Sequence, residues 1–149
     1  MADALRRPGT KADRFSLLST GPILMSLSLE QVRVLVVDAD LVFAHSIATA
    51  LRTQGYGVRC VYNCEAAPSA AQEFKPHAMI CEIVMPGMSG IALANEFARI
   101  QSNCKVLLVS GRDSVIEVME DPTPGGDLRF LPKPVDLFEV FEFLAGCYQ

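Results

Sequence analysis

Five short apolar runs, each followed by a segment with helical spacing, constrain this chain more than any other feature. The runs are 32–38 (VRVLVVD), 56–62 (YGVRCVY), 78–82 (AMICE), 105–110 (KVLLVS) and 128–131 (LRFL). They are rich in β-branched residues and show no strict polar alternation, the mark of strands buried on both faces. Between them lie segments of helical period. In 41–52, Phe43, Ile47 and Leu51 recur every four residues; in 91–100, Leu93, Phe97 and Ile100 share a face. The segment 64–74 reads as a helix in which Pro68 sits awkwardly and shortens it. Ser114 and Glu117 stand at capping-box spacing before a helix cut short by the Pro-Gly-rich stretch 121–127. The last helix, 136–147, is expected to turn Leu137, Val140, Phe141 and Leu144 inward, with Phe138 and Phe143 on its flanks. Five βα units with short, right-handed connections give one parallel sheet between two helix layers.

The chain has 149 residues, half of them apolar, which suits one domain with a substantial core. Its net charge is −4, with no basic stripe, no Trp and few aromatics, so nucleic acid is not an expected partner. The longest membrane candidate, 15–29, is broken by Gly21-Pro22 and by serines, and is too short to span a bilayer. Residues 1–30 carry four basic residues and two acids before Glu30, and read as a flexible tail ahead of a domain covering 31–149. Met25 reads as an alternative start, an expectation from the sequence alone. The five cysteines, Cys60, Cys64, Cys81, Cys104 and Cys147, contain no CxxC pair. Cys81 and Cys104 read as small core hydrophobes, and Cys60 and Cys64 lack the companions a zinc site needs. A reducing cytoplasm fits this usage.

In an open parallel sheet, ligands bind at the carboxyl ends of the strands. Here the first strand ends in Asp38, the third in Glu82, the fourth in Ser110, and Lys133 follows the fifth between Pro132 and Pro134. Each residue has a plain reading on its own, a strand-end hydroxyl or a solvated lysine. Asp40 reads as a helix N-cap pointing away from the pocket. Four coincident strand ends are a stronger signal than any one of them. His45 and His77 have no evident partner, and no Ser-His-Asp set appears.

The segments VLVVDAD (34–40), PHAMICEIVMPGMSG (76–90), VLLVSG (106–111) and FLPKP (130–134) resemble the receiver domains of bacterial response regulators in two-component signalling. The resemblance implies a single-domain, flavodoxin-like (βα)5 α/β sandwich with strand order 2-1-3-4-5. It implies signalling by phosphorelay rather than enzymatic turnover, and protein partners: a histidine kinase, a downstream effector, or a second copy docked through the last helix and its neighbours. It places the phosphoacceptor role on Glu82, phosphoryl contacts on Ser110 and Lys133, and a switch aromatic on Phe130. Mg²⁺ would be held by Asp38, Glu82 and the backbone carbonyl of Val84. A cis Lys133–Pro134 bond is also implied.

Two departures from the family pattern stand out. The strand-three acceptor is normally aspartate, and here it is Glu82. The strand-one acidic pair is reduced, because Ala39 stands where a metal ligand is normal. Losing a carboxylate weakens Mg²⁺, which demands near-octahedral oxygen ligation. One extra methylene displaces the acceptor by roughly 1 Å, a misplacement that costs on the order of 100-fold in rate. Little or no phosphorylation, and absent or weakly bound Mg²⁺, are therefore expected. The longer side chain is expected to pair with Lys133 and imitate the phosphorylated state in part, with less charge than a phosphate. The plain alternative is a carboxylate that only neutralises Lys133 in a domain whose signalling has decayed. The leading expectation is a stand-alone, phosphorylation-independent receiver. Its rivals are a conventional receiver tolerating both substitutions and a flavodoxin-like cofactor binder. Against the last, the turn Asp38-Ala39-Asp40 offers acids where a phosphate cradle needs glycines and hydroxyls.

Overall fold

The computed structural model describes residues 32–111 and 128–148. The expected tail, the alternative start at Met25, and the helix and loop expected over 114–127 lie outside these residues.

The strands are β1 (Arg33–Val37), β2 (Gly57–Val61), β3 (Ala78–Glu82), β4 (Lys105–Ser110) and β5 (Arg129–Pro132). The described α-helices are α1 (Leu41–Thr53), α2 (Ala67–Phe74), α3 (Gly90–Ile100) and α4 (Leu137–Ala145). All strand pairs are parallel, in the order β2-β1-β3-β4-β5. This is the expected topology.

The strand runs read as uniformly apolar because the pleat sends alternate residues to two separate cores. Leu35, Val37, Met79, Cys81 and Leu108 join Leu93 and Phe97 of α3 and the alanines of α2 on one face. Val34, Val36, Ala78, Ile80, Leu107 and Val109 join Ile47 and Leu51 of α1 and Val140, Phe143 and Leu144 of α4 on the other.

Local chemistry sets the helix ends. Asp40 caps α1, its carboxylate accepting from the N–H groups of Val42 and Phe43 at 3.0 and 3.2 Å. Ser89 caps α3 through Ala92 N–H, and Asp136 caps α4 through Phe138 N–H. The segment 64–74 does not form one helix. A 3-10 turn (Cys64–Ala66) comes first, capped by Asn63, and α2 follows with Pro68 in its first turn, where its missing N–H costs nothing.

Three expectations about faces need correction. Ile100 is 43% exposed, because α3 ends at this residue. On α4 the buried stripe is Val140, Phe143 and Leu144, while Leu137 is 39% and Phe138 69% exposed. Phe143 therefore belongs to the core, and Phe141 is half-buried, stacked at 6.5 Å on Tyr56. The buried face runs i, i+3, i+4 from Val140, and these three residues join the core layer that holds Val34, Val36, Ile80 and Val109. His45 and His77 also have partners. His45 Nε2 meets Tyr62 Oη at 2.9 Å, and His77 Nδ1 accepts Arg33 N–H at 3.0 Å. Burial, and then the nearby Arg33 charge, hold the His77 pKa below its ordinary value.

Phe143→Ala should cost about 3–5 kcal/mol, whereas Phe138→Ala on the exposed side should stay within about 0.5 kcal/mol. Urea unfolding of the two variants checks the face assignment.

Candidate functional site

The register of the sheet builds the site. Val37 is level with Cys81, so the next residues, Asp38 and Glu82, come out side by side at the same edge. Glu82 is level with Val109, and Ser110 with Pro132, which leaves Lys133 one step beyond. Backbone ladders continue past the strand ends: Asp38 N–H to Val61 O, Ile83 N–H to Val109 O, and Lys133 N–H to Ser110 O at 2.7 Å. These bonds hold the loops that carry the side chains.

Lys133 Nζ lies 2.9 Å from Asp38 Oδ2 and 2.7 Å from Glu82 Oε1. Both carboxylates are buried. Their other oxygens are also engaged: Asp38 Oδ1 accepts Asp40 N–H at 2.9 Å, and Glu82 Oε2 accepts Val84 N–H at 3.0 Å. The ring of Phe43, from the first turn of α1, covers the ammonium at 4.1 Å from its centroid. Lys133 thus has two carboxylates and an aromatic face around one charge. Burial by itself would lower the lysine pKa. The hydrogen bonds and charges of Asp38 and Glu82 override it and raise the pKa above the ordinary 10.5.

The structure brings Asp38, Glu82 and Lys133 together. The Glu82–Lys133 pair is the one expected from the sequence. The equal share taken by Asp38, and the Phe43 lid, were not expected. Helix period placed Phe43 on the core face; only the direction of α1 over the pocket makes it a partner of Lys133. Ser110 is buried beside the site and gives its backbone carbonyl to Lys133 N–H; among the described residues no hydrogen bond joins it to Glu82. Ala39 is exposed, and Asp40 is spent on capping α1. The Val84 side chain is exposed while its N–H is taken by Glu82. Phe130 is half-buried against the core layer that contains Leu108. The Lys133–Pro134 bond is cis.

Gly90 is a second residue whose role the sequence did not disclose. It opens α3, and its N–H donates to Ile83 O at 2.8 Å. A Cβ there would run into the carbonyl oxygen of Glu82 and lie 2.9 Å from its carbonyl carbon. Only glycine lets the helix start rest on the strand end that presents Glu82.

A family model for the response regulator receiver domain matches residues 34–145. The chain belongs to this family. Among curated proteins it is 30% identical over 111 residues to the "Probable transcriptional regulatory protein TcrX" of Mycobacterium tuberculosis, which covers 74% of this chain and 47% of that protein. It is 29% identical over 109 residues to the response regulator MprA of Mycobacterium bovis, covering 73% and 47%. The chain spans about half the length of these curated relatives. Among solved structures, the receiver domain of the hybrid histidine kinase CckA superposes with a TM-score of 0.65 at 25% identity, covering 78% of this chain and 99% of that one. The chemotaxis response regulator CheY4 of Vibrio cholerae has the same fold, with a TM-score of 0.66 at 22% identity, covering 78% and 98%.

Family membership implies Mg²⁺ in this pocket, and the donors here fit it poorly. Asp38 and Glu82 supply two carboxylates, but the positive charge between them is already the Lys133 ammonium. Ala39 brings no oxygen. Among the described residues, no group of three or more His, Cys, Asp or Glu side chains could hold a metal. Also among the described residues, no helix is long and apolar enough to cross a membrane.

Lys133→Met should cost about 3–5 kcal/mol, because two buried carboxylates lose their counter-charge. The raised lysine pKa sets the sign of the pH effect: its stabilisation is fully present below 10.5 and is lost as pH rises through the higher folded-state value. The gap in unfolding free energy between the natural protein and Lys133→Met should therefore narrow at strongly alkaline pH, as urea titrations at stepped pH would read. Gly90→Ala should destabilise by about 1–3 kcal/mol, while Gly146→Ala, with open space around it, should not; thermal melts compare the two.

Proposed function

We propose that this receiver domain works without phosphorylation, holding one signalling shape and acting by protein contact. The observation that supports this most is Lys133 bonded at 2.7 Å to Glu82 Oε1. In the family that lysine greets the phosphoryl group, so a carboxylate oxygen already stands where phosphoryl oxygens would lie.

Chemistry at Glu82 is disfavoured on three counts. In-line transfer needs a free acceptor oxygen, yet one Glu82 oxygen is held by Lys133 and the other by Val84 N–H. Transfer also relies on a metal to neutralise charge, and Ala39 removes a ligand for it. Finally, the acceptor sits at the end of a longer side chain, and misplacement by about 1 Å costs on the order of 100-fold in rate. Glu82 imitates a phosphoryl group only in part, with one charge against nearly two.

The partners in this reading are proteins: a histidine kinase, a downstream effector, or a second copy meeting through the last helix. Exposed Phe138 and Leu137 on α4 support a protein contact there. The net negative charge argues against nucleic acid. The cysteines, all free thiols, suit a reducing cytoplasm.

Acetyl phosphate with Mg²⁺, followed by intact-mass measurement, tests the reading. The natural protein should gain no phosphate, and the Ala39→Asp, Glu82→Asp double variant should gain one. Phosphate on the natural protein that disappears in Glu82→Gln would overturn it.

A further inference from the structure

At the amino edge of the sheet, β1 and β3 are joined partly by a side chain. Arg33 opens β1, and His77 immediately precedes β3. His77 N–H donates to Arg33 O at 2.8 Å, and Lys105 N–H, at the start of β4, donates to His77 O at 3.0 Å. A further bond lies outside the backbone ladder: Arg33 N–H donates to the ring nitrogen His77 Nδ1 at 3.0 Å, across 44 positions of sequence. The imidazole stands in for a strand carbonyl at the first N–H of β1. Because the donor is a backbone N–H, Nδ1 is the bare nitrogen of a neutral ring.

We infer that His77 is an acid-sensitive catch on the sheet: neutral, its Nδ1 fastens the start of β1 to β3, and protonated, it releases that end. Protonation reverses the ring's role rather than weakening it. An imidazolium has two N–H donors and no acceptor, so Nδ1–H would face Arg33 N–H donor to donor. The bond would be lost, and a half-buried ring would gain a charge.

The surroundings do not offset that charge. The Arg33 guanidinium is fixed nearby, its Nε donating to Phe74 O at 2.8 Å and to Lys75 O at 3.0 Å at the end of α2. The other charged side chains where these elements meet are Lys75 and Lys105, both basic, and Glu73, which is engaged by Arg59 at 3.1 Å. Cys104, one residue before β4, stays a neutral thiol, its pKa pushed up to about 12 chiefly by burial. Burial, and then the Arg33 charge, hold the His77 pKa below its ordinary 6.5. The unfolded chain therefore takes up the proton more readily than the folded one. The stabilisation from the neutral ring is complete above 6.5 and is lost as pH falls through the lower folded-state value.

The catch and the charged pocket share one pair of strands. The β1–β3 register that starts here brings Val37 level with Cys81, and so Asp38 beside Glu82, at the opposite edge. Mild acid thus loosens the frame of the pocket from its far end, through a group that lies outside the pocket.

NMR of the full chain, titrated from about pH 8 to about pH 5.5, reads the catch directly. The His77 ring should titrate below 6.5, and the Arg33 amide should shift with the same midpoint. Over the same range the unfolding equilibrium constant, from urea titrations, should rise about fivefold, the size of one lost hydrogen bond. His45→Gln should keep that rise, and His77→Gln, which gains no charge, should show a clearly smaller one. If His77→Gln folds too weakly to be titrated, the NMR midpoints of the natural protein decide. A His77 ring that titrates at or above 6.5, an Arg33 amide that stays still while the ring titrates, or an equal rise in the natural and His77→Gln proteins would each overturn the assignment.

Discussion

One ammonium group organises the carboxyl edge of this sheet. Two buried carboxylates stand side by side because β1 and β3 are in register, and like charges so placed would repel strongly in a poorly hydrated site. Lys133 resolves that conflict by bonding to both, at 2.9 and 2.7 Å. The site still carries one excess negative charge. It is spread over backbone N–H groups, Asp40 on one acid and Val84 on the other, and such charge-assisted bonds are the stronger kind. The Phe43 ring closes the remaining side of the ammonium. Every polar atom of the trio that these contacts involve is satisfied, which is the condition under which buried charge is tolerable.

The fold makes the convergence inexpensive. Two core layers, one on each face, lock the strand register through side chains of period two, and a slip of one residue would turn each apolar set to the wrong layer. With the register held, strand-end residues need no further ordering to meet. The cost appears elsewhere, at Gly90. The helix that follows β3 must begin almost on top of the Glu82 carbonyl, and the chain accepts a residue without a Cβ at that point.

Glutamate in place of aspartate changes what the pocket does with charge. A shorter acid would stop further from the lysine and leave room for an incoming group. The longer one reaches Nζ and folds its second oxygen back onto Val84 N–H. Gripped at both oxygens, the Glu82 carboxylate serves as a structural anion between Lys133 and the Val84 N–H. Ala39, exposed next to Asp38, adds no further carboxylate to the pair.

The sequence by itself determined the parallel sheet, because continuous β-branched runs alternating with helical stripes admit few other arrangements. It also determined which side chains end at one edge, since Asp38, Glu82, Ser110 and Lys133 each close a strand run, and it disclosed the Glu82–Lys133 pairing by length and charge. It misjudged α4, where Phe143 is core and Leu137 is not, because an amphipathic phase depends on how a helix leans on its neighbours. It left His45 and His77 without partners, although each finds one across the fold. Only the tertiary structure decided that Lys133 is shared with Asp38 and that Phe43 covers it. The reason is range: pattern along the chain reports a residue's own element and face, whereas these contacts join residues 90 to 95 positions apart, brought together only by strand register and helix direction.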